Sequence, residues 1–167
     1  MKKTAIFFGS TGGNCERIAT EIARALGVDV SAVFNASLLD GDKIAMYDNL
    51  ILGSSTWGCG DLQDDWYEGV DLLKASALTG KTVAVFGCGD SCGFSSTFCD
   101  AMATIYDAAK GAGARMIGAV STDGYSFDES ASVIDGKFVG LPLDEDNESS
   151  LTKGRIDSWA ACLMPEL

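Results

Sequence analysis

Short apolar runs alternate with stretches of helical periodicity along most of this chain, and that alternation constrains its fold more than any other feature. Strands joined by helix-length connections lie parallel in a sheet covered on both faces. Thr4 to Gly9 reads as the first strand. Ile18, Ile22 and Leu26 then recur at four-residue spacing, defining a helix that Gly27 ends. Val28 to Phe34 is a second, weaker strand, and Leu50 to Gly53 a third, apolar throughout and so expected to be buried on both faces. Asp61 is placed to cap a helix with Leu62, Trp66, Val70 and Leu73 turned inward. Thr82 to Phe86 is the clearest strand, and Phe98, Met102, Ile105 and Ala109 line a helix that stops near Gly111 and Gly113. Arg115 to Gly118 opens a fifth strand, and Ile156, Trp159, Ala160 and Leu163 form the buried face of a closing helix.

The pattern lapses between Ala119 and Asn147, where only brief apolar pieces such as Phe138-Val139 occur. A stretch of that length inside a compact α/β domain reads as a structured or functional insertion. The expectation is one domain over residues 1–167, with five strands, five helices and one insertion near the last strand.

Charge narrows the partners. With 24 acidic and 12 basic residues the formal charge is −12, which argues against nucleic acid and anionic lipid, since both need a basic footprint. It suits a monomeric carrier steered toward basic surfaces. No apolar run approaches the ~20 residues that span a bilayer. The apolar start of the chain stops at Gly9, too short for a signal peptide, so a cytoplasmic location is expected. The six cysteines form no C-x-x-C pair, and there is no histidine to complete a mixed metal site. They are expected to be reduced, buried and small-hydrophobe in role.

In open parallel sheets, ligands sit outside the carboxyl ends of the strands where strand order reverses. Three turns at such ends carry unusual residues. Gly9 to Glu16 is rich in small residues and runs straight into a helix, so its backbone can curl around an anion at the helix N-terminus. It has neither the Gly-Lys-Ser/Thr ending of a Walker A loop nor the G-x-G-x-x-G spacing of dinucleotide folds. With no Lys or Arg in the loop, neutral donors have to hold a phosphate. Ser54 to Asp61 sets Trp57 among glycines and small residues, offering an indole face to a heterocycle. Gly87 to Phe94 repeats the plan, with glycines, one carboxylate and one aromatic. A phosphate nest beside two aromatic loops suits a flat ring with a phosphate tail.

The sequence closely resembles long-chain flavodoxins. The resemblance lies in Ser10, Gly13 and Glu16; in Thr56-Trp57, Gly60 to Gln63 and Asp65-Trp66; in Phe86-Gly87, Gly89-Asp90 and Gly93-Phe94. It continues in Ser121 to Tyr125, Gly136 to Leu141, Leu143 to Asn147, Leu151-Thr152, Arg155-Ile156 and Ser158-Trp159, and covers essentially the whole chain. It implies a doubly wound five-stranded parallel sheet of order 2-1-3-4-5, helices on both faces, and an insertion interrupting the fifth strand. FMN is the implied cofactor. Ser10, Thr11, Gly12, Gly13, Asn14 and Cys15 would wrap its phosphate, Ser55 and Thr56 would approach the ribityl chain, and Trp57 would stack on the inner ring face. The Gly58 carbonyl would face flavin N5, with Cys59 beside it. Asp90 and its neighbours Cys88 and Gly89 would meet the pyrimidine edge, and Phe94 would cover the outer face.

Two of the family's usual loop hydroxyls are missing. The common pattern is Thr/Ser-x-Thr-Gly-x-Thr, and here Gly12 and Cys15 replace the last two threonines; Phe94 likewise stands where tyrosine is usual. The implied function is a low-potential one-electron carrier between soluble proteins, with basic redox proteins as donor and acceptor and no catalytic residue. An FMN-dependent NAD(P)H:quinone-type reductase is the alternative, but stacked aromatics on both ring faces would obstruct hydride transfer. A thiol redox sensor built on Cys59, Cys88 and Cys92 is the third reading.

Overall fold

The computed structural model describes residues 1–167. Its main sheet is built on β1 (Thr4–Gly9), β2 (Val33–Asn35), β3 (Asn49–Trp57) and β5 (Thr82–Cys88), with β4 (Asp61–Leu62) a short antiparallel partner at the end of β3. The helices are α1 (Asn14–Leu26), α2 (Gly41–Met46), α3 (Tyr67–Ala75), α4 (Ala101–Gly111) and α5 (Ser149–Leu163). The parallel order is β2-β1-β3-β5, and one edge of β5 is completed by β6 (Arg115–Ile117) and β10 (Leu141–Leu143). β6 pairs with Thr82 to Ala84 and β10 with Phe86 to Cys88, so the two are halves of one fifth strand. This is the expected 2-1-3-4-5 doubly wound sheet with its last strand interrupted.

Strand alternation sends successive side chains to opposite faces and makes two cores. Ala5, Phe7, Leu50, Leu52, Val83 and Val85 face the α3/α4 layer, while Ile6, Phe8, Ile51, Ala84 and Phe86 face α1 and α5. All six residues of β1 and all seven of β5 are buried, as strands covered on both sides must be.

Two expected elements differ. Val28 to Phe34 is not one strand: Asp29 accepts a hydrogen bond from the Ser31 amide at 2.8 Å and starts a 3-10 turn over Val30–Ala32. Only Val33–Asn35 pairs with β1. Asp61 does not cap a helix, because it lies in β4 opposite Trp57. The Gln63 side chain caps instead, accepting from the Asp65 amide at 2.9 Å, and a 3-10 turn precedes α3. Leu62, Trp66, Val70 and Leu73 are all buried as expected, although only the last two lie in α3. Phe98 is buried too, but precedes α4.

The insertion leaves after β6 and forms a three-stranded antiparallel sheet of β7 (Val120–Ser121), β8 (Val133–Ile134) and β9 (Lys137–Phe138), in the order β7-β9-β8. Tyr125, Phe127 and Phe138 pack on Phe98 and on one another with ring centroids 5.1–6.3 Å apart, giving this subdomain an aromatic core. The chain re-enters the main sheet at Gly140, where a Cβ would lie 2.0 Å from the Val85 carbonyl oxygen. Only glycine fits at that approach.

Candidate functional site

The reversal of strand order falls between β1 and β3, and a cleft of about 320 Å³ opens there at the carboxyl ends of the strands. Its walls come from the three turns singled out in the sequence. Ser10, Gly12, Asn14 and Cys15 form one side, Ser55 to Gly58 a second, and Cys88 to Asp90 with Phe94 a third.

The first turn ends at Gly13, whose φ of 90° caps α1 through the backbone alone. No side chain caps the α1 amides, so the first-turn N–H groups remain free donors at the positive end of the helix dipole. Ser10 Oγ accepts from the Gly13 amide at 3.0 Å and tightens the loop. Thr11 does not line the cleft: its hydroxyl accepts from Gln63 Nε2 at 3.2 Å, tying the loop to the turn after β4. Gly13 and Cys59 also lie outside the cleft wall. Cys15 is fully buried, and its thiol shares a hydrogen bond with the Cys88 sulfur at 3.1 Å rather than with the loop interior.

Two aromatic rings also border the cleft. Trp57 is 47% exposed and Phe94 54%, both unusually open for rings of this size. The indole N–H of Trp57 donates to Ser55 Oγ at 2.8 Å, fixing the ring from its own strand. Trp57 to Gly60 is a tight turn closed by the Gly60 amide on the Trp57 carbonyl at 3.1 Å, with Gly58 at φ 52°. That geometry at the first central position selects glycine.

The third turn is shaped by carboxylates. Asp90 accepts from the amides of Cys92 and Gly93 at 3.0 and 2.8 Å and from Asn147 Nδ2 at 2.8 Å. These bonds, the Gly93 amide foremost and Asn147 next, hold its carboxyl below the usual range. Asp144 is buried beneath this turn, accepting from the Ser91 amide at 3.2 Å, from the Ser91 hydroxyl and from the Asn147 amide at 3.0 Å. It straps the Asp90 turn to the segment after β10.

Glu145 and Asp146 join the cleft wall although neither figured among the expected site residues. They follow β10, whose pairing to β5 carries them to the cleft, and no local pattern announces that placement. Glu145 is held by Arg17 and Thr152, and burial followed by the charges of Asp90, Asp144 and Glu145 pushes the Asp146 carboxyl up. Lys and Arg are absent from the lining, so the cleft offers neutral donors from the first turn together with the carboxylates of Asp90, Glu145 and Asp146. The cysteines divide: Cys15, Cys88 and Cys99 are buried, whereas Cys59, Cys92 and Cys162 are exposed, against the expectation that all six are buried. Cys59 and Cys92 stand in the turns after β3 and β5, and Cys162 is on the outward face of α5.

Fold and cleft together define a doubly wound α/β protein with an open cleft at the carboxyl ends of β1, β3 and β5. The family model described as Flavodoxin matches residues 6–159. A flavodoxin of Synechocystis sp. is 42% identical over 168 residues, spanning 100% of this chain and 99% of its own. Flavodoxin 1 of Azotobacter vinelandii is 38% identical, over 99% of this chain and 98% of its own. The Fusobacterium nucleatum flavodoxin, solved bound to flavin mononucleotide, matches with a TM-score of 0.92 at 30% identity, covering 100% of this chain and 99% of that one. The chain belongs to the flavodoxin family.

Proposed function

We propose that residues 1–167 act as a single FMN-binding unit that carries single electrons at low potential between soluble redox proteins. The observation that carries this reading is the cleft itself, bordered by a loop that leads into uncapped helix amides and by two exposed rings. Bound FMN supplies the electron chemistry, exchanging electrons one at a time. The amides of the first turn of α1 hold the phosphate without any basic side chain. Ser55 and Thr56 border the ribityl chain, Trp57 and Phe94 exclude water from the two ring faces, and the Asp90 turn meets the pyrimidine edge. Asp90, Glu145 and Asp146 oppose added negative charge in the cleft, which makes the second electron the harder one to add. No helix is long and apolar enough to cross a membrane. Reconstituting the flavin-free chain with FMN and with riboflavin tests the reading. Stoichiometric FMN binding with two separate one-electron reduction waves is expected, and rapid oxidation of NADPH by the loaded protein alone would overturn it in favour of a reductase.

The acidic surface, at −12 overall, is proposed to steer the chain to basic partners. Second-order electron transfer from a basic flavoprotein reductase is then expected to slow steeply as salt rises, since screening sets in over about 8 Å at physiological strength. A rate that stays flat across that series would remove steering.

Gly58 is proposed to aim its carbonyl at the flavin N5 edge. Alanine there adopts φ 52° only under strain, and its Cβ would lie 2.8 Å from Asp61 Oδ2. Where reduction turns this peptide so that its carbonyl meets N5, the strain falls on the reduced state alone and costs about 1 kcal/mol, or about 40 mV for one electron. Gly58→Ala is expected to lower the first one-electron potential by some tens of millivolts while changing oxidised FMN affinity little. Lost FMN affinity with an unchanged potential would make Gly58 a hinge only.

A further inference from the structure

Two cysteines that are 73 residues apart in sequence meet under the candidate phosphate loop. Cys15 lies in the first turn of α1 and Cys88 ends β5; both are free thiols, and their sulfurs are 3.1 Å apart. A disulfide stands at about 2.05 Å, so roughly 1 Å of movement separates this pair from a bond. Both residues line the cleft, Cys88 with 7% of its surface open and Cys15 with none. Cys99 is buried nearby, but its sulfur approaches the Gly87 and Leu143 carbonyl oxygens at 3.8 and 3.9 Å. The pairing is therefore specific to Cys15 and Cys88.

We propose that Cys15 and Cys88 are a dithiol that closes to a disulfide when the empty cleft admits a peroxide, and that a ligand filling the cleft keeps the pair reduced. The disulfide rests on the sulfur geometry alone, whereas its protection by FMN rests on the reading above. The sulfur of Cys88, the less buried residue of the two, attacks a peroxide oxygen and becomes a sulfenic acid, releasing one water from hydrogen peroxide. The Cys15 sulfur then displaces the hydroxyl of that sulfenic acid as a second water and forms the S–S bond. Two thiols and one hydrogen peroxide thus give one disulfide and two waters. The hydrogen bond with Cys15, and then burial, push the Cys88 thiol up, so little thiolate is present at neutral pH and the first step is slow. Once closed, the bond ties the N-terminus of α1 to the end of β5 and restrains the flavin-free fold against unfolding.

The test uses the 167-residue chain carrying Cys59→Ser, Cys92→Ser and Cys162→Ser, which removes the exposed thiols, with the unsubstituted chain in parallel. Each is exposed to hydrogen peroxide flavin-free and FMN-loaded, alkylated under denaturing conditions, and mapped by peptide mass spectrometry. The flavin-free chain is expected to lose two thiols, yield a linked peptide pair through Cys15 and Cys88, leave Cys99 alkylated, and unfold at higher denaturant. The loaded chain is expected to react about tenfold slower or more, as a reaction confined to the ligand-free state must. Sulfinic acid at Cys88 beside a free Cys15, or a link through Cys99, would overturn the disulfide. The flavin-free arm decides the disulfide whether or not FMN binds. The loaded arm, verified by its bound flavin absorbance, decides protection, and equal rates in the two arms would overturn it.

Discussion

Gly12→Thr is expected to tighten FMN binding by about 10- to 100-fold while leaving riboflavin affinity nearly unchanged, because a hydrogen bond to a charged group contributes about 1.5–3 kcal/mol. Gly12 lines the cleft, and a Cβ placed there meets nothing within 4 Å. Its backbone is not in the left-handed region, so threonine adds its hydroxyl without strain. Titrating both ligands into the flavin-free variant checks this, since riboflavin has no phosphate. Equal gains for both would show that the new hydroxyl faces the ring or the ribityl chain. Cys15→Thr, the other substitution toward the usual family loop, is expected to gain less. The Cys15 side chain is buried and directed at Cys88, so a hydroxyl there meets sulfur before it meets a phosphate.

Asp144→Ala is expected to destabilise the fold by about 2–4 kcal/mol, the cost of leaving the two buried Ser91 donors and the more open Asn147 amide without an acceptor. The Ser91 amide and hydroxyl and the Asn147 amide all lose their partner, in a site where Asp144 is 1% exposed. The Asp90 turn is strapped down through the same residues, so FMN affinity is expected to fall with stability. Chemical denaturation of the flavin-free protein reads the first effect and FMN titration the second. Asp144→Asn keeps one acceptor oxygen and is expected to lie between. A variant that unfolds at the same denaturant concentration as the parent would remove Asp144 from its bracing role.

The elements that were legible in the sequence are those whose burial is simple. β1 and β5 are covered on both faces, and their uninterrupted apolar runs announce that directly. In α1, Ile18, Ile22 and Leu26 are buried, and Gly27 ends the helix at φ 70°. The elements that were missed depend on local hydrogen bonds that compete with regular structure. Asp29 and Gln63 each turn the chain through their own side chains, which shortens β2 and displaces the start of α3. β10 was hidden for another reason: it contains Pro142, which is tolerated there because β10 is an edge strand with one ladder partner.

The same division runs through the candidate site. The sequence by itself determined that three turns at strand ends carry small residues, two aromatics and a carboxylate, because chain alternation and turn chemistry are local properties. It also determined, through its resemblance, the order of the strands and the interruption of the fifth. Tertiary structure alone decided that Glu145 and Asp146 reach the cleft, that Thr11 turns away to Gln63, and that Cys15 meets Cys88. Each of those facts depends on the register in which β5 pairs with β10 or on the way α1 lies across the sheet. Register and helix placement are set by the packing of whole faces, which no short window of sequence contains.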